Sequence, residues 1–252
     1  MHRLAVETAT LMGPPVVSPL EIGSLLAARR DAGEVMIAGL TGSVAAGKST
    51  LAADIAAALR GDLRVEVIST DGFMRPNAEL EARGLLMRKG FPESYDIDAL
   101  CRTLDDVRRG PVRVPGYSHT RYDVDPALTR TIDRPDLLLV EGLGLAPVGD
   151  NHRALQTLDA LLYVDATEED LEHWFLERFM GHWHAAGESP DSFYARFRDM
   201  SEMEARGFAR TAVWRAINLP NLHDHISRAR PHADVLLWKE RDHRLRLVRP
   251  EL

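Results

Sequence analysis

Apolar residues fall along this chain in two alternating periods. Val35-Met36-Ile37-Ala38-Gly39-Leu40 has the length and continuity of a buried strand, and Ser49 to Leu59 after it is an Ala-rich helical stretch. The alternation recurs. Arg64 to Thr70 reads as a second strand, and Asp96 to Arg109 as a helix with Ile97, Leu100, Leu104 and Val107 at helical spacing. Asp136 to Gly142 reads as a strand whose run Leu137-Leu138-Leu139-Val140 is apolar throughout, as central parallel strands are, and which ends on Glu141. Ala160 to Asp165 adds a strand, and Thr167-Glu168-Glu169-Asp170 starts a helix over about residues 168–181 with acids in its first turn.

Stop and start signals frame these elements. Ser18-Pro19-Leu20-Glu21 is a capping box with Pro at the first helical position, so a helix runs to about Arg30 before Ala32-Gly33 ends it. Ser201-Glu202-Met203-Glu204 starts the last long helix, which runs to Asn218, where Leu219-Pro220 is expected to stop it. Ala233 to Lys239 and Leu245 to Val248 read as closing strands around the turn Arg241-Asp242-His243. Residues 1–17, with Gly13-Pro14-Pro15, read as a flexible lead-in. Phe73 to Tyr95 and Gly110 to Pro126 read as long loops, the usual place for lids and binding surfaces. Alternating strands and helices predict a doubly wound α/β fold with a mainly parallel sheet. One domain over residues 1–252 is expected, with 1–33 as a short N-terminal extension and helix.

Composition narrows the partners. Lys+Arg of 31 against Asp+Glu of 38 leaves a net charge of −7, which gives no basic footprint for nucleic acid. The single Cys101 excludes an internal disulfide and suits a reducing compartment. No apolar run approaches the length of about 18 residues needed to span a membrane, and Glu7 interrupts what a signal peptide would keep apolar. A cytoplasmic protein is expected, with neither membrane nor nucleic acid as partner.

The chemistry lies where the first strand meets its helix. Gly42-Ser43-Val44-Ala45-Ala46-Gly47-Lys48-Ser49 fits the phosphate-loop pattern at every position, and Thr50 follows it. A strand delivers such a loop, glycines let the backbone N–H groups turn inward, and the helix N-terminus adds positive potential for phosphate oxygens. Lys48 would reach the β and γ phosphates of ATP, and the Ser49 hydroxyl would hold Mg²⁺. Asp71, just after the second strand, and Glu141, ending a later one, reach the same crevice at the carboxyl edge of the sheet. Glu141 is a candidate for the Mg²⁺ shell and Asp71 for a base near the γ phosphate.

A phosphate loop alone admits a kinase, a GTPase switch or a motor ATPase. No Asn-Lys-x-Asp guanine-reading motif occurs, and a base beside two long loops suits phosphoryl transfer to a small acceptor. Three readings stay open: a kinase for one acceptor, a kinase for another hydroxyl compound such as a nucleoside or sugar, and a nucleotide-binding regulator.

The phosphate loop, Thr70-Asp71-Gly72-Phe73 with Pro76-Asn77, and Arg88-Lys89-Gly90-Phe91-Pro92-Glu93-Ser94-Tyr95-Asp96 closely resemble bacterial type I pantothenate kinase. So do Tyr117-Ser118-His119, Tyr122-Asp123, Val140-Glu141-Gly142-Leu143, Tyr163-Val164-Asp165-Ala166, Ile217-Asn218 and Asn221-Leu222. The resemblance runs from about Val35 to the C-terminus. It implies a phosphate-loop kinase related to uridine kinase and phosphoribulokinase, homodimeric, that phosphorylates pantothenate with MgATP. By the same resemblance Asp71 is the base, and Lys48 and Arg178 stabilise the transferring phosphate. Tyr117, His119, Tyr122, Phe175, Arg178 and Asn218 line the acceptor site, and His243 lies near adenine. Three departures stand out: the segment before the phosphate loop is short, the family's Asn after Glu-Gly-Leu is Gly144, and a family Tyr and a later aromatic are replaced by Phe175 and His182.

Overall fold

The computed structural model describes residues 13–148, 151–186 and 192–250. Strands β1 (Val16–Val17), β2 (Met36–Gly42), β3 (Val65–Ser69), β6 (Leu137–Glu141), β7 (Ala160–Asp165), β8 (Val235–Lys239) and β9 (Leu245–Pro250) form one sheet in the order β1-β9-β8-β7-β2-β6-β3. β2 lies parallel between β6 and β7, β3 extends the parallel set beyond β6, and β8 beyond β7. Only β9 runs against the others: its pairings with β8 and with β1, at one edge, are antiparallel. Strands β2 and β6 are buried along their whole length, which is why their sequences show no polar alternation.

Helix α1 (Pro19–Arg29) begins on the capping box as its sequence predicts: Ser18 Oγ accepts from the Glu21 N–H, and Glu21 accepts from the Ser18 N–H. It packs on α2 (Lys48–Ala58), burying Ile22 and Leu26. Helix α4 (Ile97–Val107) buries Leu100, Cys101, Leu104 and Val107 on one face, and the Asp96 carboxylate caps it by accepting from the Ala99 N–H at 2.8 Å. The core is continuous across the sheet from these helices to α6 (Glu168–Ala185), whose Leu171, Phe175 and Phe179 belong to it. No helix among the described residues is long and apolar enough to cross a membrane.

The lead-in reading of residues 1–17 falls partly outside the described residues. Within them, Val16 and Val17 pair with Arg246 and Leu245, so this part is an edge strand of the sheet.

Two other expectations need correction. Gly110 to Pro126 is not a loop but most of an antiparallel hairpin, β4 (Pro111–Ser118) and β5 (Asp123–Asp133), separate from the main sheet. Pro115 and Pro126 hid it. In a two-stranded sheet every strand is an edge, so prolines that would break a central strand are tolerated, and the register shifts between Val114 and Gly116 around Pro115. Phe73 to Tyr95 likewise contains helix α3 (Asn77–Ala82), too short to give a periodic signal.

Pro220 does not stop the last helix either. Helix α7 (Glu202–Phe208), opened by the Ser201–Glu204 capping box, widens into a π-helical stretch over Ala209–Asn218 and continues as α8 (Leu219–Asp224). In the wide turn the Leu219 N–H reaches back to the Trp214 carbonyl. A proline that follows such a turn needs no N–H to continue the chain into α8.

Candidate active site

The phosphate loop joins β2 to α2 and owes its shape to backbone angles few residues adopt. Gly42, Ala45 and Gly47 have φ of 139°, 65° and 88°. Gly47 is the N-terminal cap of α2 and has no side chain to close off the helix end, so the orphan N–H groups of the first turn remain available to a ligand. Lys48 folds back over the loop, where its Nζ donates to the carbonyls of Gly42 at 3.1 Å and Ser43 at 2.8 Å. Burial pulls this ammonium down to about 8, against the favourable charges of Glu141 and Asp71. Ser49 and Thr50 are exposed at the start of α2.

Asp71 sits in a 3₁₀ turn (Thr70–Phe73) directly after β3, where its N–H donates to Ser69 Oγ at 3.3 Å. The Tyr95 hydroxyl donates to Asp71 Oδ1 at 3.3 Å. Burial, and then the nearby Glu141 carboxylate, push the Asp71 carboxyl from 3.8 up to about 6, with Lys48 and the Tyr95 hydrogen bond opposing them. Register explains why the two acids meet. Glu141 of β6 lies opposite Leu40 of β2 and Ser69 of β3, so both acids leave adjacent strands at the same edge. A carboxyl of this strength, within electrostatic reach of an ammonium, can accept a proton near neutral pH.

The hairpin closes the other side. A Cβ on Gly72 would collide with the Pro115 carbonyl, so the 3₁₀ turn and β4 touch through bare backbone. The Tyr117 ring meets His119 edge-on at 5.1 Å and Tyr122 at 6.2 Å, and Tyr122 stacks on Phe193 at 4.4 Å. Burial pushes the Tyr122 hydroxyl up to about 12 and that of Tyr117 well above its ordinary value, so both stay protonated. His119 is shifted down by burial and then by Arg178, which leaves it neutral at pH 7. Arg178 itself is exposed on α6, with Asp71, Lys48 and His119 all within electrostatic reach.

The predicted residues thus fall into two groups. Lys48, Asp71, Glu141, Arg178, Tyr117, His119 and Tyr122 share one crevice. Phe175 instead packs into the core against Trp214 at 5.6 Å and Phe179 at 6.2 Å. Asn218 is half-buried at the end of the π-helical stretch. His243, with φ of 70° in the β8–β9 turn, lies over Trp174 at 5.2 Å beside the phosphate loop.

Sequence reasoning gave no role to Lys89, Tyr95 or Lys239. Lys89 is buried; its Nζ donates to Asn77 Oδ1 at 2.6 Å and to the Tyr122 carbonyl, and lies 5.0 Å from the Tyr117 ring centre and 4.5 Å from that of Tyr122. Desolvation lowers it to about 8. It ties the hairpin tip to α3, as the Asn77 N–H does by donating to Asp123 Oδ1 at 3.0 Å. Lys89 and Tyr95 stood in the motif from Arg88 to Asp96, but nothing in one sequence ties that motif to a hairpin tip some thirty residues on.

The phosphoribulokinase / uridine kinase family model matches residues 37–180. A pantothenate kinase from Leifsonia xyli subsp. xyli is 46% identical over 215 residues, which cover 82% of this chain and 66% of that protein. One from Streptomyces coelicolor is 43% identical over 227 residues, 85% of this chain and 69% of that protein. The chain spans about two thirds of the length of the curated relatives it matches. Among solved structures, a D-glycerate 3-kinase from Cryptococcus neoformans superposes with a TM-score of 0.58 at 12% identity, covering 90% of this chain and 97% of that one. Phosphoribulokinase from Rhodobacter spheroides gives 0.50 at 15% identity, covering 81% and 70%. At these identities the two structures bear on the fold alone, and that fold is the α/β phosphate-loop architecture.

Proposed function

The chain belongs to the phosphoribulokinase / uridine kinase family, and from that premise we propose that it transfers the terminal phosphate of MgATP to the hydroxyl of pantothenate, giving 4'-phosphopantothenate on the way to coenzyme A. The observation that carries the reading is the convergence at one sheet edge of a phosphate loop whose helix end carries no side-chain cap, Lys48 folded onto the Gly42 and Ser43 carbonyls, and Asp71 within electrostatic reach of that ammonium. The pantothenate assignment draws on the relatives' names and on the motifs from Thr70 to Asn221.

In the reaction the acceptor hydroxyl gives its proton to Asp71 as its oxygen bonds to the γ phosphorus, and the bond from that phosphorus to the bridging oxygen breaks to release ADP. Lys48 exchanges its bonds to the Gly42 and Ser43 carbonyls for the β and γ phosphate oxygens, and Arg178 adds positive charge where the transferring group is most negative. The Ser49 hydroxyl and Glu141 would hold the magnesium of the substrate complex, which would draw negative charge from the transferring phosphate. Buried Glu141 at the end of β6 and Asp71 in the turn after β3, the first raising the second's affinity for a proton, would form a negative site suited to a divalent cation. Tyr117, His119, Tyr122 and Asn218 line the acceptor site, Phe175 lies in the core, and His243 borders adenine. The enzyme acts as a cytoplasmic homodimer.

A panel of small hydroxyl acceptors with MgATP, including pantothenate, nucleosides and sugars, tests the reading by coupled ADP release. Turnover confined to pantothenate supports it. Preference for another acceptor replaces pantothenate but keeps the kinase, and ATP binding without turnover of any acceptor overturns both.

A further inference from the structure

A second lysine reaches the phosphate loop from β8, two strands along the sheet from β2. Lys239 ends β8, and its Nζ donates to the Ala46 carbonyl at 3.0 Å. The same Nζ stands 2.5 Å from where a Cβ on Gly47 would lie, so the ammonium occupies the space that a side chain at this loop position would fill. It also lies 4.5 Å from the centre of the Trp174 ring, over which His243 is packed at 5.2 Å.

What the ammonium lacks is as telling as what it touches. It is half-buried, and desolvation alone lowers its affinity for a proton, with no carboxylate among the described residues opposing the shift. Lys48 differs, since Glu141 and Asp71 favour its charge. The arginines of the β8–β9 turn and the start of β9 are paired: Arg241 with Asp170 at 3.1 Å, and Arg244 and Arg246 with Glu240 at 3.2 and 2.7 Å. A partly desolvated cation with one N–H on a carbonyl and two donors left over is stabilised by an anion. Lys239 also depresses the proton affinity of both Lys48 and His243, so it lies within electrostatic reach of the residue assigned to the β and γ phosphates and of the one assigned to the base.

We propose that Lys239 is a phosphate ligand of the bound nucleotide, supplied by β8 and directed at the phosphate nearest the base, where it complements Lys48 on the terminal phosphates. The proposal rests on the reading of the loop as an ATP site. On this view Gly47 has two reasons to be glycine, its left-handed backbone and the room it leaves for Lys239.

The test is calorimetric titration of the whole chain with ADP and with adenosine, for wild type, Lys239→Met and Lys239→Arg, with melting temperatures of all three. The methionine variant should bind ADP about tenfold to a hundredfold more weakly, the range for losing a charge-assisted hydrogen bond, and adenosine within about twofold. The arginine variant, which keeps the charge, should bind ADP within a few-fold of wild type. Unchanged ADP binding by Lys239→Met overturns the proposal, as does an equal loss for adenosine and ADP, which would mean a damaged base pocket. An arginine variant as weak as methionine would mean that Lys239 only braces the loop through Ala46, and also overturns it. Absence of ADP binding by the wild type is a separate result, which overturns the nucleotide reading itself.

Discussion

The two walls of the crevice are built by different means. The phosphate-loop wall is backbone: Gly42, Ala45 and Gly47 set the angles, the first turn of α2 offers its N–H groups, and Lys48 rests on loop carbonyls at 3.1 and 2.8 Å. The acceptor wall is side chains. Tyr117 and Tyr122 come from the hairpin, Lys89 from the segment after α3, Phe193 from a 3₁₀ turn (Phe193–Phe197) and Tyr95 from just before the cap of α4. A wall of backbone fixes one chemistry, the binding of phosphate, whatever the acceptor. A wall of side chains can be rebuilt residue by residue, which lets one fold take different acceptors.

The sharpest way to break that contrast is to remove charge from the backbone wall. Lys48→Met should lower kcat by about 10⁴-fold or more in a coupled ADP-release assay, since phosphoryl transfer depends on positioned positive charge. Its circular dichroism spectrum should stay native, because the methionine fills a site in which burial already disfavours the ammonium. Activity near wild type would remove Lys48 from the mechanism.

Asp71 stands where the walls meet, and its substitution separates function from stability. Asp71→Asn should lower kcat about 10²- to 10⁴-fold, the size of general-base catalysis, with ADP affinity nearly unchanged. Its folded-state carboxyl is raised from 3.8 to about 6, so the folded protein binds this proton more tightly than the unfolded chain does. Ionised Asp71 therefore costs stability as pH rises through that window, and the cost is fully present above about 6. The asparagine variant should be more stable at pH 8 by about 1–3 kcal/mol, seen as a higher Tm. For wild type, kcat/KM should fall as pH drops below about 6, where the base becomes protonated, and that limb should vanish in the variant. If ADP affinity collapses instead, Asp71 belongs to the metal site.

The same contrast explains what the sequence could convey. Strands β2, β6 and β7, helices α1, α2 and α4, and the phosphate loop are local: each is written in contiguous residues whose spacing or capping carries its own signal, as Ser18 and Glu21 do for α1. Residues of the acceptor wall were nameable only through resemblance, because what makes them a site is contact between segments far apart, as when Lys89 reaches the Tyr122 carbonyl. The hairpin was missed because Pro115 and Pro126 read as loop residues in one dimension and as edge-strand residues in three. Pro220 misled for a related reason, since a stop signal supposes an ordinary α-helix and the chain arrives there through a π-helical stretch.

If the acceptor wall is independent, damage to it should stay there. A Cβ on Gly116 would collide with the Cβ and carbonyl of Leu128 across the hairpin, so Gly116→Ala must displace β5 and the tip that carries Tyr122. Overpacking of this kind costs about 1–3 kcal/mol, and the acceptor KM should rise about five- to fiftyfold with the KM for ATP unchanged. Equal rises in both would show that the hairpin also holds the 3₁₀ turn through the contact between Gly72 and Pro115.

The smallest expected effect tests whether the acceptor wall extends into the core. At Phe175 the pantothenate kinase pattern has a Tyr, and here the ring packs against Trp214 and Phe179 while only 8% exposed. A hydroxyl added at the ring edge has two opposite consequences. Where it reaches the bound acceptor it gains a neutral hydrogen bond, about 0.5–1.5 kcal/mol net; where it stays buried without a partner it costs about 1–3 kcal/mol. The two outcomes appear in different measurements, the first as a fall in KM of about two- to tenfold at unchanged Tm, the second as a lower Tm with KM unmoved. A pantothenate kinase that has lost this contact should follow the first course, so Phe175→Tyr is expected to lower the KM for pantothenate without changing kcat. A lower Tm and no gain in kcat/KM, together with a better acceptor in the panel, would mean that the acceptor wall has been rebuilt around Phe175 for a different molecule.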